Sequence, residues 1–212
     1  DLIDLDLRDN AETANLVSTL KPDLVVHLAG VTGQSDPEGR LCEEINHRAT
    51  VHLLDRLTEI DLSKVIMVGT AAEYGQQPTP FREDMPDAPR SPYAVSRAKA
   101  NRYALSLAET AGLPITILRL FSVYGIGQPM NMFLPQLISS ALSGGEFRMT
   151  AGTQLRDFVH ADDVARAILL SAGSVQANGR TINIAGGTGL GLSDVAQSVW
   201  RYRGANESLL KI

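Results

Sequence analysis

The chain has 212 residues, of which 44% are hydrophobic and 20% are charged, and its formal net charge is -5 at pH 7. This composition is typical of a globular protein with enough apolar material for a sizeable core, and it excludes a disordered, collagen-like or coiled-coil chain. The acidic balance argues against a nucleic-acid partner, because phosphate binding needs a positively charged surface.

Cys42 is the single cysteine of the chain. One thiol cannot close an intramolecular disulfide and leaves no thiolate cluster for zinc, so we expect no metal site and a reducing, cytoplasmic location. The sequence contains no run of about 18 apolar residues, which predicts that the protein does not cross a membrane. The acidic first residues, DLIDLDLRDN, are unlike the basic start of a signal peptide.

Short aliphatic runs alternate with longer amphipathic stretches, a pattern typical of βαβ units. The predicted strands are nearly all apolar, as strands buried on both faces must be. They are Leu2–Leu5, Leu24–Leu28, Val65–Val68, Ile115–Leu120 and Thr181–Ile184. The predicted helices are Ala11–Leu20, Leu41–Ile60, Tyr93–Ala111, Met132–Ser143, Ala161–Ala172 and Leu192–Arg203. We therefore predict an α/β fold with a doubly wound parallel sheet.

The stretch from Gln76 to Pro92 contains five prolines with acidic residues between them. It predicts an irregular loop between the third strand and the next helix, since proline cannot continue either kind of element. A loop of this length in a compact domain is usually functional.

The most specific motif is Ser91-Pro92-Tyr93-Ala94-Val95-Ser96-Arg97 at the start of a predicted helix, after Val68-Gly69-Thr70 at the end of a strand. Arg97 lies one turn after Tyr93 on the same helix face. A nearby cation favours the phenolate, so Tyr93 can exchange a proton with an alcohol oxygen. The Thr70 hydroxyl can hold that same oxygen, because ligands bind at the carboxyl edge of open α/β sheets.

Together with further motifs in the same order, this arrangement resembles the extended short-chain dehydrogenases/reductases of the NAD-dependent epimerase/dehydratase family, which modify nucleotide sugars. The motifs are Asp6-Leu7, His27-Leu28-Ala29-Gly30, Asn46, Gly69-Thr70-Ala71-Ala72-Glu73-Tyr74-Gly75, Leu118–Gly125, Arg156–His160 and Asn183–Gly187. The resemblance implies a Rossmann-like cofactor-binding domain over residues 1–125. It also implies a smaller α/β lobe over residues 126–212, mainly for substrate, with some segments returning to the main sheet.

The resemblance further implies NAD or NADP as cofactor, a nucleotide-diphosphate sugar as substrate and a homodimer formed through helices 41–60 and 93–111. Its catalytic residues are Thr70, Tyr93 and Arg97. The residues implied to bind the cofactor are Asp6, Leu7, Leu28, Ala29, Gly30, Asn46, Val68, Tyr93, Arg97 and Leu120. Those implied to bind the substrate are Thr70, Ala71, Ser122, Asn131 and Arg156.

The chain departs from the family pattern in three respects. Arg97 stands where the family has lysine, and Ser122 where it has asparagine, which predicts altered catalysis and substrate choice. The family's glycine-rich turn is not found after a first strand, so we expect the chain to begin at the family's third strand and to end before the second lobe is complete. The run Gly186–Gly191 lies between a predicted strand and helix, but the resemblance places it in the second lobe.

Ala71 and Ala72 occupy the positions of the acid pair that eliminates water in 4,6-dehydratases, so the resemblance disfavours dehydration. A 4-epimerase and a reductase of 4-keto-6-deoxy sugars both remain open, and both transfer hydride at C4. The alternative is a non-catalytic paralogue that keeps the fold and binds a nucleotide or nucleotide sugar without turnover.

Overall fold

A computed structural model describes residues 2–32, 36 and 38–212. The chain forms two compact units, one of Asp1–Leu120 with Arg166–Ile184 and the other of Phe121–Ala165 with Ala185–Ile212. The chain thus passes to the second unit after Leu120, rather than after residue 125, and the segment Arg166–Ile184 returns to the first.

The first unit contains helices α1 (Asn10–Leu20), α2 (Thr50–Leu57) and α3 (Pro92–Thr110), and strands β1 (Leu24–His27), β2 (Lys64–Thr70), β3 (Ile115–Leu120) and β7 (Arg180–Ile184). A π-helical segment, Cys42–Ala49, precedes α2, and a short 3-10 helix, Ala71–Tyr74, follows β2. Helix α5 (Ala161–Ala172) begins in the second unit and ends in the first.

Strands β1, β2, β3 and β7 form a parallel sheet in that order. Val65 to Met67 and Ile115 to Leu118 are fully buried, so both faces of the two central strands are covered. One face packs against apolar residues of α1, α2 and α3, namely Val17, Leu53, Leu54, Leu57, Ala100 and Ala104. The predicted α/β class with a parallel sheet is confirmed.

Two predicted elements differ from the structure by more than the position of their ends. Leu2–Leu5 is not a strand, because no described strand pairs with it, and Leu2 and Ile3 are exposed. In the described residues β1 pairs only with β2. The predicted helix Leu41–Ile60 is π-helical over Cys42–Ala49 and continues as the α-helix α2 over Thr50–Leu57.

The second unit contains α4 (Phe133–Ser143), α6 (Leu192–Arg203) and the short strands β4 (Ser122–Tyr124), β5 (Phe147–Arg148), β6 (Leu155–His160), β8 (Gly189–Gly191) and β9 (Leu210–Lys211). Strands β4, β6 and β8 form one sheet, and β5 pairs with β9. The core of the second unit consists of Leu137, Ala141, Phe147, Ala196 and Trp200. Within the described parts of both units, no helix is both long and apolar enough to span a bilayer.

Candidate active site

The carboxyl ends of the parallel strands bring several predicted site residues to one edge of the sheet. Thr70 is the last residue of β2 and is in register with Leu120, the last residue of β3. Leu28 directly follows β1, which is in register with β2 through His27 and Met67. The first unit therefore places Leu28, Thr70 and Leu120 along the edge at which open α/β sheets bind ligands. Val68 is buried in β2, two residues before Thr70.

Thr70 is held by a capping box at the start of the 3-10 helix. Its hydroxyl Oγ1 accepts a hydrogen bond from the Ala72 amide at 3.3 Å, and its own amide donates to Oε1 of Glu73 at 2.7 Å. Both bonds satisfy backbone donors that a helix start leaves without partners. Thr70 therefore has a defined backbone conformation, and its partly exposed hydroxyl lies at the sheet edge.

Helix α3 places Tyr93 and Arg97. Ser91 caps its N-terminus by accepting a hydrogen bond from the Ala94 amide at 3.2 Å, and Pro92 occupies the first helical position. Tyr93 is half-buried in the first turn, and Arg97 follows one turn later. The Arg97 carbon Cζ lies 6.0 Å from the centroid of the Tyr93 ring, which confirms that the two side chains are neighbours.

Arg97 is only 6% exposed and lies against the loop that follows β1. Its Nη2 donates to the Ala29 carbonyl oxygen at 3.3 Å. A Cβ atom at Gly30 would overlap Nη2 and would lie 2.8 Å from Cζ, so only glycine leaves room for the guanidinium there. Gly30 therefore provides the space that the longer arginine occupies at the lysine position of the family pattern.

Asn46 clamps the same loop from the π-helical segment. Its Oδ1 accepts from the Val31 amide at 2.8 Å, and its Nδ2 donates to the Val31 carbonyl at 3.0 Å and to Ser96 Oγ at 3.2 Å. These bonds tie the loop after β1 to helix α3. The short π-helical stretch thus lies at the candidate site, as such stretches frequently do.

His27 is buried beneath this loop, and its Nε2 lies 2.9 Å from Thr50 Oγ1. Burial, together with the charge of Arg97, lowers the pKa of His27 from 6.5 to about 4. The imidazole is therefore neutral at pH 7, and the positive charge that acts on it is that of Arg97.

Arg97 Nη1 is buried and has no hydrogen-bond partner among the described residues. A buried guanidinium donor without an acceptor is costly, and an oxygen-rich ligand would supply that acceptor. The ribose and phosphate oxygens of a nicotinamide dinucleotide have this chemistry, and the loop Ala29–Gly30 beside Arg97 is exposed. The residues present therefore fit such a cofactor.

Asp6 and Leu7, the predicted adenine-side residues, lie in the exposed segment before α1. The sequence prediction did not include the partner of Asp6. Arg8 forms a bidentate pair with this carboxylate, with Nε 3.0 Å from Oδ1 and Nη2 2.6 Å from Oδ2. This pair lowers the pKa of Asp6 to about 2.

The remaining predicted substrate residues are divided between the units. Ala71 begins the 3-10 helix of the first unit. In the second unit, Ser122 begins β4 and is in register with Phe158, Asn131 is exposed before α4, and Arg156 is exposed on β6. The Arg156 guanidinium donates to the Leu155 carbonyl at 2.8 Å.

The glycine run Gly186–Gly191 does not form a free phosphate cradle in the second unit. Asp157 accepts hydrogen bonds from the amides of Gly186 and Gly187, at 2.6 and 2.9 Å. The end of the run is strand β8, which pairs with β6. The amides at its first two glycines are therefore engaged by a carboxylate that would repel a phosphate.

One feature of the site was missed by sequence reasoning. Glu73 is 0% exposed, and besides the Thr70 amide it accepts hydrogen bonds from Asn101 and Arg119. The spacing Thr70-x-x-Glu73 is the capping-box signature, so the sequence alone could have predicted this local pairing.

In the part of the chain that is described, no group of three or more His, Cys, Asp or Glu side chains is arranged to hold a metal ion.

The chain is similar to known enzymes over most of its length. A model of the NAD dependent epimerase/dehydratase family matches residues 1–185. UDP-glucuronate 4-epimerase of Thermodesulfobacterium geofontis is 28% identical over 171 residues, which cover 79% of this chain and 53% of that protein.

Two solved structures have the same fold. One is a double mutant of DesIV, a dTDP-glucose 4,6-dehydratase of Streptomyces venezuelae with NAD bound, at 28% identity and a TM-score of 0.86 over 98% of this chain and 65% of that one. The other is UDP-glucuronic acid 4-epimerase of Bacillus cereus with UDP-glucuronic acid and NAD, at 28% identity and a TM-score of 0.85 over 95% and 65%. This chain thus spans from 53% to 65% of the length of these three relatives. It belongs to the NAD dependent epimerase/dehydratase family.

Proposed function

We propose that the protein transfers a hydride at C4 of a nucleotide-diphosphate sugar with NAD or NADP, as a 4-epimerase or as a reductase of a 4-keto sugar. The observation that carries this proposal is the placement of Thr70, Tyr93 and Arg97 in one compact unit, around the carboxyl edge of its parallel sheet. The relative from Bacillus cereus, solved with UDP-glucuronic acid and NAD, supports the cofactor and the substrate class.

The residues around the loop after β1 would hold the cofactor. Arg97 Nη1 is a buried hydrogen-bond donor, and Gly30 adds no side chain to the loop beside it. Asn46 fixes the loop through its hydrogen bond from the Val31 amide. Asp6 and Leu7 would contact the adenine, and Leu28, Val68 and Leu120 would line the sheet edge. When bound, the nicotinamide supplies the acceptor or donor of hydride.

Tyr93 would move the proton that accompanies the hydride. In the oxidative direction the C4 hydroxyl would give its proton to the Tyr93 oxygen, and C4 would lose its hydrogen as a hydride to the oxidised nicotinamide. The hydride carries the two electrons of the broken C–H bond, so the sugar is left as a ketone. Thr70 would hold the same sugar oxygen, and the positive charge of Arg97 would stabilise negative charge on the phenol oxygen. An epimerase returns the hydride to the opposite face of C4, whereas a reductase carries out only the reductive half.

The local structure around Thr70 disfavours dehydration. Elimination of water needs an acid and a base near the sugar, but Ala71 and Ala72 carry only methyl groups. The carboxylate of Glu73, the remaining acid of this segment, is 0% exposed and is bonded to the Thr70 amide, Asn101 and Arg119. It therefore cannot exchange a proton with a sugar.

Three residues of the second unit complete the proposal for the substrate. The exposed guanidinium of Arg156 would pair with the diphosphate, because its planar fork matches two phosphate oxygens. Ser122 and Asn131 would contact the sugar nucleotide through a hydroxyl and an amide. Replacement of Arg156 by Gln should raise KM for the sugar nucleotide and leave NAD affinity unchanged.

The test uses the full-length protein and panels of UDP-, GDP- and dTDP-linked sugars and 4-keto sugars. Nicotinamide absorbance reports reduction, and chromatography of the products reports epimerisation. Tyr93→Phe should abolish turnover, whereas the control Tyr103→Phe, on the same helix and bonded to Asp55, should retain it. Turnover that is unchanged in Tyr93→Phe would contradict the proposal.

Arg97 in place of lysine favours one alternative, a paralogue that binds a nucleotide sugar without turnover. The two functions differ in this assay, because the paralogue would bind NAD and a sugar nucleotide in calorimetry but would convert no member of either panel. We also propose a homodimer formed through the segments 41–60 and 93–111, which light scattering would detect. A cytoplasmic location remains part of the proposal.

A further inference from the structure

A group of four charged and polar side chains, three of them buried, lies next to Thr70 in the first unit. It consists of Glu73, Asp87, Asn101 and Arg119, which we call the Glu73 cluster. Glu73 is 0% exposed, Asn101 2% and Arg119 5%. Charges are rarely buried without a partner because of their desolvation cost, so such a group is held by its mutual contacts.

Glu73 is the centre of this cluster. Its Oε1 accepts from the Thr70 amide at 2.7 Å and from Asn101 Nδ2 at 2.9 Å, and its Oε2 accepts from Arg119 Nη2 at 2.8 Å. Arg119 Nη2 also donates to Asp87 Oδ1 at 2.8 Å. In each of the contacts made by Glu73, a Glu73 oxygen is the hydrogen-bond acceptor. An ionised carboxylate can accept at both of its oxygens, whereas a glutamine amide accepts at its single oxygen and can only donate at its NH2 group.

The cluster joins the two elements that carry the candidate catalytic groups. Thr70 ends β2, and Asn101 lies on α3, one turn after Arg97 and two turns after Tyr93. Glu73 bonds to both Thr70 and Asn101, so its carboxylate sets how the end of β2 lies against α3. Because Tyr93 lies on the same helix as Asn101, these bonds link the end of β2 that carries Thr70 to the helix that carries Tyr93.

The proline-rich loop is fixed by the same residues. Ala88 donates its amide to the Glu73 carbonyl at 2.8 Å, and Asp87 bonds to Arg119. Because this loop runs directly into Ser91 and the start of α3, the cluster restrains Tyr93 from the N-terminal side as well.

Gly69 makes the close approach possible. A Cβ atom at this position would lie 2.6 Å from Asn101 Nδ2 and 2.7 Å from Glu73 Oε1. The strand backbone, Asn101 and Glu73 are therefore in direct contact, without a side chain between them that could absorb a shift.

We propose that Glu73 is a positioning residue for the reaction, because it bridges the Thr70 amide and Asn101 and thereby sets the Thr70 hydroxyl against Tyr93. This inference rests on the proposed function and goes beyond it, since it assigns a role to a residue that cannot reach the sugar. Glu73 acts through Thr70 and leaves the loop Ala29–Val31 and cofactor binding unaffected.

The test is a double-mutant cycle in the full-length protein with wild type, Thr70→Val, Glu73→Gln and the double variant. In the wild-type background Glu73→Gln should lower kcat by about 10- to 100-fold, since a shift of about 1 Å in a reacting group has effects of this size. In the Thr70→Val background the same change should lower kcat by less than about threefold, because coupled residues are not additive. NAD affinity should remain within about twofold of wild type, the tolerance expected for an independent site.

Lys64→Met is the matched control. Lys64 is a buried cation at the other end of β2, where its Nζ donates to the Ser174 carbonyl at 2.8 Å. This variant should lose stability while its kcat stays at the wild-type value.

Equal kcat losses from Glu73→Gln in both Thr70 backgrounds would show a purely structural role and overturn the proposal. If Glu73→Gln does not fold, Asn101→Ala replaces it in the same cycle, with the same two outcomes.

Amide hydrogen exchange separates a failure of this inference from a failure of the proposed function. Exchange at the Thr70 amide should accelerate in Glu73→Gln and stay unchanged in Lys64→Met, whether or not the protein turns over a sugar nucleotide. Absence of turnover in wild type with accelerated exchange would refute the proposed function and support the restraint of Thr70. Unchanged exchange in Glu73→Gln would overturn the positioning role.

Discussion

The guanidinium of Arg97 occupies the space that a side chain at Gly30 would need. A Cβ atom at residue 30 would overlap Arg97 Nη2 and would lie 2.7 Å from Asn46 Oδ1. The loop after β1, the clamp from Asn46 and the cation of α3 are therefore packed together. A change in any one of them should affect the others.

We expect Gly30→Ala to weaken NAD binding by about tenfold or more, since the added methyl group must displace Arg97 or the loop, and overpacking of this kind typically costs about 1–3 kcal/mol. The measurement is the dissociation constant for NAD by calorimetry. Gly173→Ala is the control, because the nearest atom to its Cβ, the Leu170 carbonyl oxygen, lies 4.0 Å away. Equal NAD affinity in Gly30→Ala and wild type would contradict this packing.

Arg97→Lys should raise kcat/KM, because lysine keeps the positive charge beside Tyr93 and is the residue that the family pattern has at this position. Arg97→Met, which removes the charge, should lower kcat/KM by about 100-fold or more, the scale of lost electrostatic stabilisation at a reacting group. Arg90→Lys, at an exposed position before α3, is the control. Complete loss of activity in Arg97→Lys would instead mean that the site depends on the arginine fork.

Sequence patterns predicted those parts of the fold that depend on local residues. Strand β3 and helices α5 and α6 have the predicted bounds, since an apolar run or an amphipathic period defines each of them. Leu2–Leu5 has the same apolar pattern, but a strand also needs a hydrogen-bonded neighbour, and no described strand supplies one. Strand β8 is the opposite case. The sequence of Gly189–Gly191 has little preference for a strand, but these residues form one because they pair with β6.

The same distinction applies to the candidate site. Thr70 and Tyr93 were found from motifs, and the Glu73 cap was readable from its spacing to Thr70. The contact of Glu73 with Arg119 joins residues 46 positions apart in the sequence, and that of Arg97 with Ala29 joins residues 68 positions apart. No local pattern encodes such pairs, which depend on how the strands and α3 pack.

Arg119→Met should destabilise the protein by about 3–5 kcal/mol, because it leaves the buried Glu73 carboxylate without its cation. Although burial opposes it, the negative charge of Glu73 holds the pKa of Arg119 above its ordinary value, so the guanidinium is charged at every accessible pH. Urea unfolding measures the free energy change. The control Arg82→Met, which removes an exposed pair with Asp84, should leave the stability close to that of wild type.

A double variant tests the origin of this effect. Glu73→Leu with Arg119→Met removes both charges, and replacing a buried ion pair by apolar residues is often neutral or stabilising. The double variant should therefore be more stable than Arg119→Met alone. A double variant less stable than either single change would show that the hydrogen bonds to Thr70 and Asn101, rather than the ion pair, dominate the stability of the cluster.

His27 should make stability depend on pH in the mildly acidic range. Its pKa is lowered to about 4 in the folded protein, by burial first and then by the charge of Arg97, against 6.5 in the unfolded chain. Between these values the unfolded state binds a proton that the native state does not, so stability falls as the pH drops from 6.5 to 4 and is fully present above 6.5. The difference corresponds to about 3 kcal/mol over the whole range.

Urea unfolding of wild type and His27→Gln at pH 7 and at pH 4.5 measures this contribution. The variant has no imidazole to protonate, so its loss of stability between the two pH values should be smaller than that of wild type by about 2 kcal/mol or more. His52→Gln, at an exposed position of α2, is the control and should lose as much stability as wild type. Parallel losses in wild type and His27→Gln would mean that His27 takes up its proton as readily in the folded protein as in the unfolded chain, so that neither burial nor the charge of Arg97 opposes protonation.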